Sequence, residues 1–241
     1  MTDHTAVTQD IIKLINQCPE QDQRIIFDYL RRIFPIHELE SRLNTSAEVI
    51  LEAISRASDL TLRGIRGIIA EAAFKQDVVL PLVRAGHWSE ITLVGDHPFD
   101  FAISDSVGRI NIQVKMQRQK EQRPMLASEA SKRLFASLDN HFVVETQRTR
   151  GGQDKNGEAT RPYKYGEFDI LAVSLHPSSG NWSDFIYTVE RWLISTPDKQ
   201  GEIFKYQPVP MQPNEFWTNN LNIAVEWFRS GINKHIGTGN T

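Results

Sequence analysis

Four side chains in this sequence are of the types that, brought to one place, hydrolyse phosphate esters with the help of a metal ion: Glu71, Asp100, Gln113 and Lys115. Asp100 and the side-chain carbonyl of Gln113 are hard oxygen donors of the kind Mg²⁺ accepts. Lys115 is a cation that can hold or activate a water beside a phosphate. Glu71 lies in Gly67-Ile-Ile-Ala-Glu71-Ala-Ala-Phe74, where it interrupts a run of apolar and small residues. A glutamate among such neighbours is costly to bury without a partner. A metal ion would serve as that partner, and so would solvent if the residue lies on the open side of an amphipathic helix.

The elements that must position these groups follow from hydrophobic period. After Gly86 the spacing of apolar residues changes from helical to two: Glu90 to Val94, Phe99 to Ile103 and Arg109 to Lys115 each read as a strand. In the second strand Phe99, Phe101 and Ile103 share one face, which leaves Asp100 and Ala102 on the other. In the third, Ile110, Ile112 and Val114 share a face opposite Asn111, Gln113 and Lys115. A hairpin closed by Asp105 to Gly108 pairs Ser104 with Arg109, Ala102 with Asn111 and Asp100 with Gln113, gathering Asp100, Gln113 and Lys115 on one rim. A slip of one residue would put Asp100 on the apolar side, so the pattern itself selects this register.

Upstream, the spacing of Ile11, Ile12, Leu14 and Ile15, and then of Ile25, Ile26, Tyr29, Leu30 and Ile33, predicts two helices, the second stopped by Pro35. A third starts at Ser46, and a fourth runs from near Leu60 to Phe74 and carries Glu71. Downstream, Phe168 to Leu175 and Phe185 to Leu193 read as strands joined by a turn at Pro177 to Asn181, and Asn219 to Ile232 reads as a closing helix. The expected organisation is an N-terminal helical subdomain, residues 1–60, followed by a core over residues 61–241. The expected fold class is α/β (α+β), a central mixed sheet flanked by helices.

Charge is unevenly spread. The net charge is -3, yet the stretch from Arg109 to Gly166 holds 12 Lys+Arg against 6 Asp+Glu, while the remainder holds 15 against 24. A concentrated basic segment in an otherwise acidic chain suits a local phosphate or nucleic-acid site, and a solvated loop with accidental charge would look the same.

Read in order, Glu71, then Pro98-Phe99-Asp100, then Ile112-Gln113-Val114-Lys115, the chain resembles the PD-(D/E)xK nuclease superfamily and, within it, the type II restriction endonucleases. There a helix supplies a Glu, one strand an Asp after a Pro, and the next strand an acidic residue and a Lys one residue apart. Two departures stand out: Phe99 separates Pro98 from Asp100, and Gln113 occupies the acidic position, which removes one negative charge from the metal site. The resemblance implies a restriction-endonuclease-like core and Mg²⁺ held by Asp100, Glu71 and Gln113. It also implies hydrolysis of double-stranded DNA to leave a 5′-phosphate, action as a homodimer, and a cognate DNA methyltransferase as genetic partner. A structure-specific repair or recombination nuclease would share the site, and a decayed DNA-binding protein would keep only its remains.

On this reading the basic segment meets DNA. Arg118, Lys120 and Arg123 follow the strand of Lys115. The polar stretch around 146–166 carries Arg148, Arg150, Lys155, Arg161, Lys164 and Tyr165 and is expected to be a recognition loop. The single cysteine, Cys18, cannot form an internal disulfide. No run approaches the roughly 18 apolar residues that span a bilayer, and the start lacks a basic and apolar leader, so a cytoplasmic protein with no membrane partner is expected.

Overall fold

The computed structural model describes residues 4–34, 37–148, 151–153 and 160–237. Its contacts divide the chain into two compact units, Met1–Leu62 and Arg63–Thr241, with the boundary inside a helix. No helix among the described residues is long and apolar enough to cross a membrane.

The first unit is helical: α1 (His4–Gln17), α2 (Glu20–Ile33), α3 (Glu38–Leu43), α4 (Ala47–Ser55) and the start of α5 (Asp59–Phe74). The short α3 has no apolar period to announce it. A local cap makes it, the Leu39 N–H donating to His37 Nδ1 at 3.1 Å. Ser46 does precede α4, but its side chain makes no capping bond. The Ala47 N–H donates instead to Glu40 Oε1 at 2.7 Å. Among the described residues of this unit none is buried. Ile11, Ile12 and Leu14 of α1 and Ile25, Phe27 and Tyr29 of α2 are all exposed.

In the second unit α5 ends at the buried Phe74 and continues through a π-helical turn, Lys75–Val79, into α6 (Leu80–Arg84). The Leu80 N–H reaches back to the Lys75 carbonyl. Pro81 lacks an N–H, and its ring crowds the carbonyl four residues before it, which accounts for the widened turn.

The core is a five-stranded mixed sheet in the order β1 (Ser89–Glu90), β2 (Phe101–Ser104), β3 (Arg109–Met116), β7 (Ile170–Ser174) and β8 (Phe185–Val189). The β3–β7 pair is parallel and the others are antiparallel. Of the strand expected over Glu90 to Val94 only Glu90 pairs in register with β2, preceded by Ser89. Every residue of β7 and β8 is buried, which explains why both read as apolar runs without alternation. Phe74 packs its ring against Phe101 and Phe185, each with centroids 5.2 Å away, so α5 is seated on the sheet.

Between β3 and β7 the chain forms β4 (Gln119–Lys120), β5 (Arg123–Pro124), α7 (Ala127–Ala130) and β6 (His141–Glu145). Lys132 and Arg133 follow α7. The expected turn after β7 is the short helix α8 (His176–Ser179), and β8 gives way to a 3-10 turn, Glu190–Trp192. Beyond this, β9 (Ser195–Thr196) pairs with β10 (Lys199–Ile203), and β11 (Tyr206–Pro210) pairs with β6. The helix α9 (Leu221–Arg229) packs on β8 and β7, its N-cap Asn220 accepting from the Asn222 N–H at 2.9 Å. The result is a mixed α+β fold with a central sheet flanked by helices.

One core carboxylate carries a stability prediction. Glu190 is 4% exposed and accepts the Gly166 N–H at 2.7 Å. Burial raises its pKa to about 7. The folded value lies above the unfolded one, so its contribution is fully present below about pH 4.5 and is lost as pH rises through about 7. Glu190→Gln can still accept the Gly166 bond without the charge. Urea unfolding should show the variant more stable than wild type by on the order of 2 kcal/mol near pH 8 and equal to it near pH 4.5. Parallel pH profiles for the two proteins would mean that Glu190 is not the source.

Candidate active site

The hairpin forms in the expected register, with Ala102 opposite Asn111 and Ser104 opposite Arg109. Asp100 stands just before β2, its N–H donating to the Ile112 carbonyl at 3.0 Å. One carboxylate oxygen, Oδ2, takes the Val114 N–H at 2.8 Å and also a bond from the Gln113 side-chain amide. The same Gln113 Nε2 donates to the Val114 carbonyl at 3.1 Å. Both of its neighbours can only accept, so the nitrogen must face them and the side-chain carbonyl must face away.

Glu71 from α5 and Lys115 from β3 complete the group. Burial, then the nearby Asp100 charge, raises the Glu71 pKa to about 7, with Lys115 opposing. Burial raises that of Asp100 too, again against Lys115. Lys115 is lowered by burial, while Asp100, Glu71 and Glu145 resist the change. Three elements thus bring two carboxylates and one ammonium into a common field. A cavity of about 280 Å³ lies beside Asp100, lined also by Lys75, Glu90 and Thr92.

The fit of this group to Mg²⁺ follows from its donors. The described residues contain no cluster of three or more His, Cys, Asp or Glu side chains suited to a metal. Two desolvated carboxylates facing one lysine do fit a small hard cation, which would relieve their mutual repulsion. Gln113 fits as a third donor only with its amide turned to present the carbonyl, because its nitrogen now lies against Asp100 Oδ2 and the Val114 carbonyl.

The structure gives the basic residues partners that linear reading does not. Arg118 and Arg161 both pair with Glu145. Lys120 and Arg123 both pair with Glu129, at 3.3 and 2.6 Å. Arg148 pairs with Glu167 at 2.6 Å. The Tyr165 hydroxyl donates to the Leu193 carbonyl at 2.6 Å, so this ring is tied into the core. The Lys164 N–H donates to Glu167 Oε2 at 3.1 Å. Arg150 and Lys155 lie outside the described residues.

Sequence reading missed Tyr163. Its ring is buried and lies 5.5 Å from Lys115 Nζ and 5.4 Å from Arg148 Cζ, measured to the centroid. The signal was present in Tyr163-Lys164-Tyr165, where alternation turns the two tyrosines inward and the lysine out.

No protein-family model matches the chain, and no curated protein matches it. Among solved structures it is similar to a bacterial homing endonuclease, I-Ssp6803I, at 20% identity, over 59% of this chain and 83% of that one, with a TM-score of 0.33.

Proposed function

We propose that the protein is a Mg²⁺-dependent endonuclease of the PD-(D/E)xK type that cuts double-stranded DNA at specific sites, as a type II restriction enzyme does. The observation that carries this reading is the meeting of Glu71 from α5, Asp100 from the approach to β2 and Lys115 from β3 in one desolvated field. Glu71 and Asp100 would hold the ion, joined by Gln113 once its amide turns. When bound, Mg²⁺ polarises a phosphate and lowers the pKa of a water. Lys115 orients the attacking water and offsets the charge that builds on the phosphate oxygens. The products would carry a 5′-phosphate. A homodimer on a two-fold symmetric site, with a cognate methyltransferase, completes the proposal.

DNA binding is assigned to the paired cations. Two basic side chains share Glu145, which leaves that cluster a net positive charge, and two share Glu129 beside Glu121, and in both clusters the side chains are held in place. The test of function is digestion of supercoiled plasmid in Mg²⁺ and in EDTA, with the ends sequenced. Nicked or linear products with one repeated end sequence support the reading, and no Mg²⁺-dependent cleavage ends it.

Phosphate contacts release counterions, so removing Lys120 or Arg123 should reduce the slope of log K against log[salt] by about 0.9 each and weaken all DNA alike. Removing Arg161, if it reads a base, should weaken the cognate site by a further 1 to 3 kcal/mol, roughly 5- to 150-fold. Equal losses on cognate and random DNA would restrict Arg161 to the backbone.

A further inference from the structure

We propose that Tyr163 is a positioning residue for Lys115, its ring face holding the ammonium toward Asp100 and Glu71; this rests on the nuclease reading of the site. Lysine carries its charge on a flexible four-carbon stem, so its direction is set by what surrounds the ammonium. Here that surrounding is the carboxylates of Asp100, Glu71 and Glu145, the opposing Arg148 guanidinium and the Tyr163 ring, 5.5 Å from Nζ, within the range at which a ring face attracts a cation.

The ring cannot swing away. It is 3% exposed and meets Phe168 edge-on, with centroids 5.4 Å apart. Its own carbonyl accepts the Ile203 N–H at 2.8 Å. Arg148 lies over the same ring, 5.4 Å from the centroid, and is fastened to Glu167 at 2.6 Å. Both Arg148 and Tyr163 belong to the stretch assigned to DNA recognition. One aromatic ring therefore links that stretch to the lysine of the chemistry.

The test uses the full chain with Tyr163→Phe, and with Tyr163 replaced by pentafluorophenylalanine, which keeps the shape but reverses the charge distribution of the ring. In the wild type and in Tyr163→Phe, the Lys115 ε-methylene NMR signal, assigned by its loss in Lys115→Met, should be shifted upfield by the ring. In the fluorinated protein the signal should return toward its ordinary position. In cleavage assays the fluorinated protein should fall about tenfold below Tyr163→Phe in kcat, with KM the same in the two variants. An unshifted Lys115 signal in the wild type, or identical behaviour of the two variants in either measurement, overturns the proposal. A wild-type protein that cleaves no DNA ends the nuclease reading, while the NMR comparison still decides whether the ring holds the lysine.

Discussion

Lys115→Ala and Asp100→Ala should each lower cleavage by about 10³-fold or more while leaving DNA affinity within about twofold, because each removes part of the chemistry and none of the basic surface. The two differ in structural cost. Lys115→Ala removes one ammonium and leaves Glu71 and Asp100 facing each other without a counter-charge. Asp100→Ala strips the acceptor from both the Val114 N–H and the Gln113 amide, at about 1 to 3 kcal/mol for an orphaned buried donor. Asp100→Asn is the sharper control, since its carbonyl can still accept both bonds and only the charge is lost. Plasmid cleavage, gel-shift affinity and thermal melts on the three proteins check this. Full cutting by either alanine variant ends the assignment.

The second large effect is expected at Gln113. Its amide nitrogen satisfies Asp100 Oδ2 and the Val114 carbonyl together. Gln113→Glu places a third carboxylate there, so without metal the repulsion should lower Tm by about 5 °C, roughly what 1 to 3 kcal/mol costs a chain of this size. Mg²⁺ should more than restore it, and the Mg²⁺-induced rise in Tm should exceed that of wild type, because the added charge strengthens binding. Gln113→Ala should show the smallest Mg²⁺-induced rise of the three. Equal Mg²⁺ responses in all three proteins would show that position 113 has no part in holding the ion.

The hairpin of Asp100, Gln113 and Lys115 was legible because its signals are local: a turn of Ser104 to Gly108, and two strands whose apolar faces permit one register. Much of the rest depends on distant partners. Tyr206-Gln207-Pro208-Val209-Pro210 went unread, its two prolines weighing against a strand, yet it pairs along its length with His141–Glu145, in a two-stranded sheet whose free edges leave room for residues without an N–H. Likewise Arg148 reads as an exposed recognition residue until Glu167, 19 residues on, is folded beside it. The helices α1 and α2 were plain from their period, but period alone does not reveal that their apolar side chains remain exposed.

The parallel join between β3 and β7 also bears on the order of assembly. The β2–β3 hairpin closes over a few residues, and such hairpins form in about 1 to 10 μs. Pairing β3 with β7 brings together Asn111 and Asp169, 58 residues apart, and each doubling of loop length adds roughly 0.6 kcal/mol of closure entropy. Tyr163 lies just ahead of β7, so it arrives with the slower event. A chain still emerging from the ribosome at Lys115 therefore has its carboxylate, amide and lysine in sequence but neither the ring that steadies that lysine nor the strand that buries it. For an endonuclease of the proposed kind this delay would be protective, since an unfinished polypeptide cannot present a finished centre.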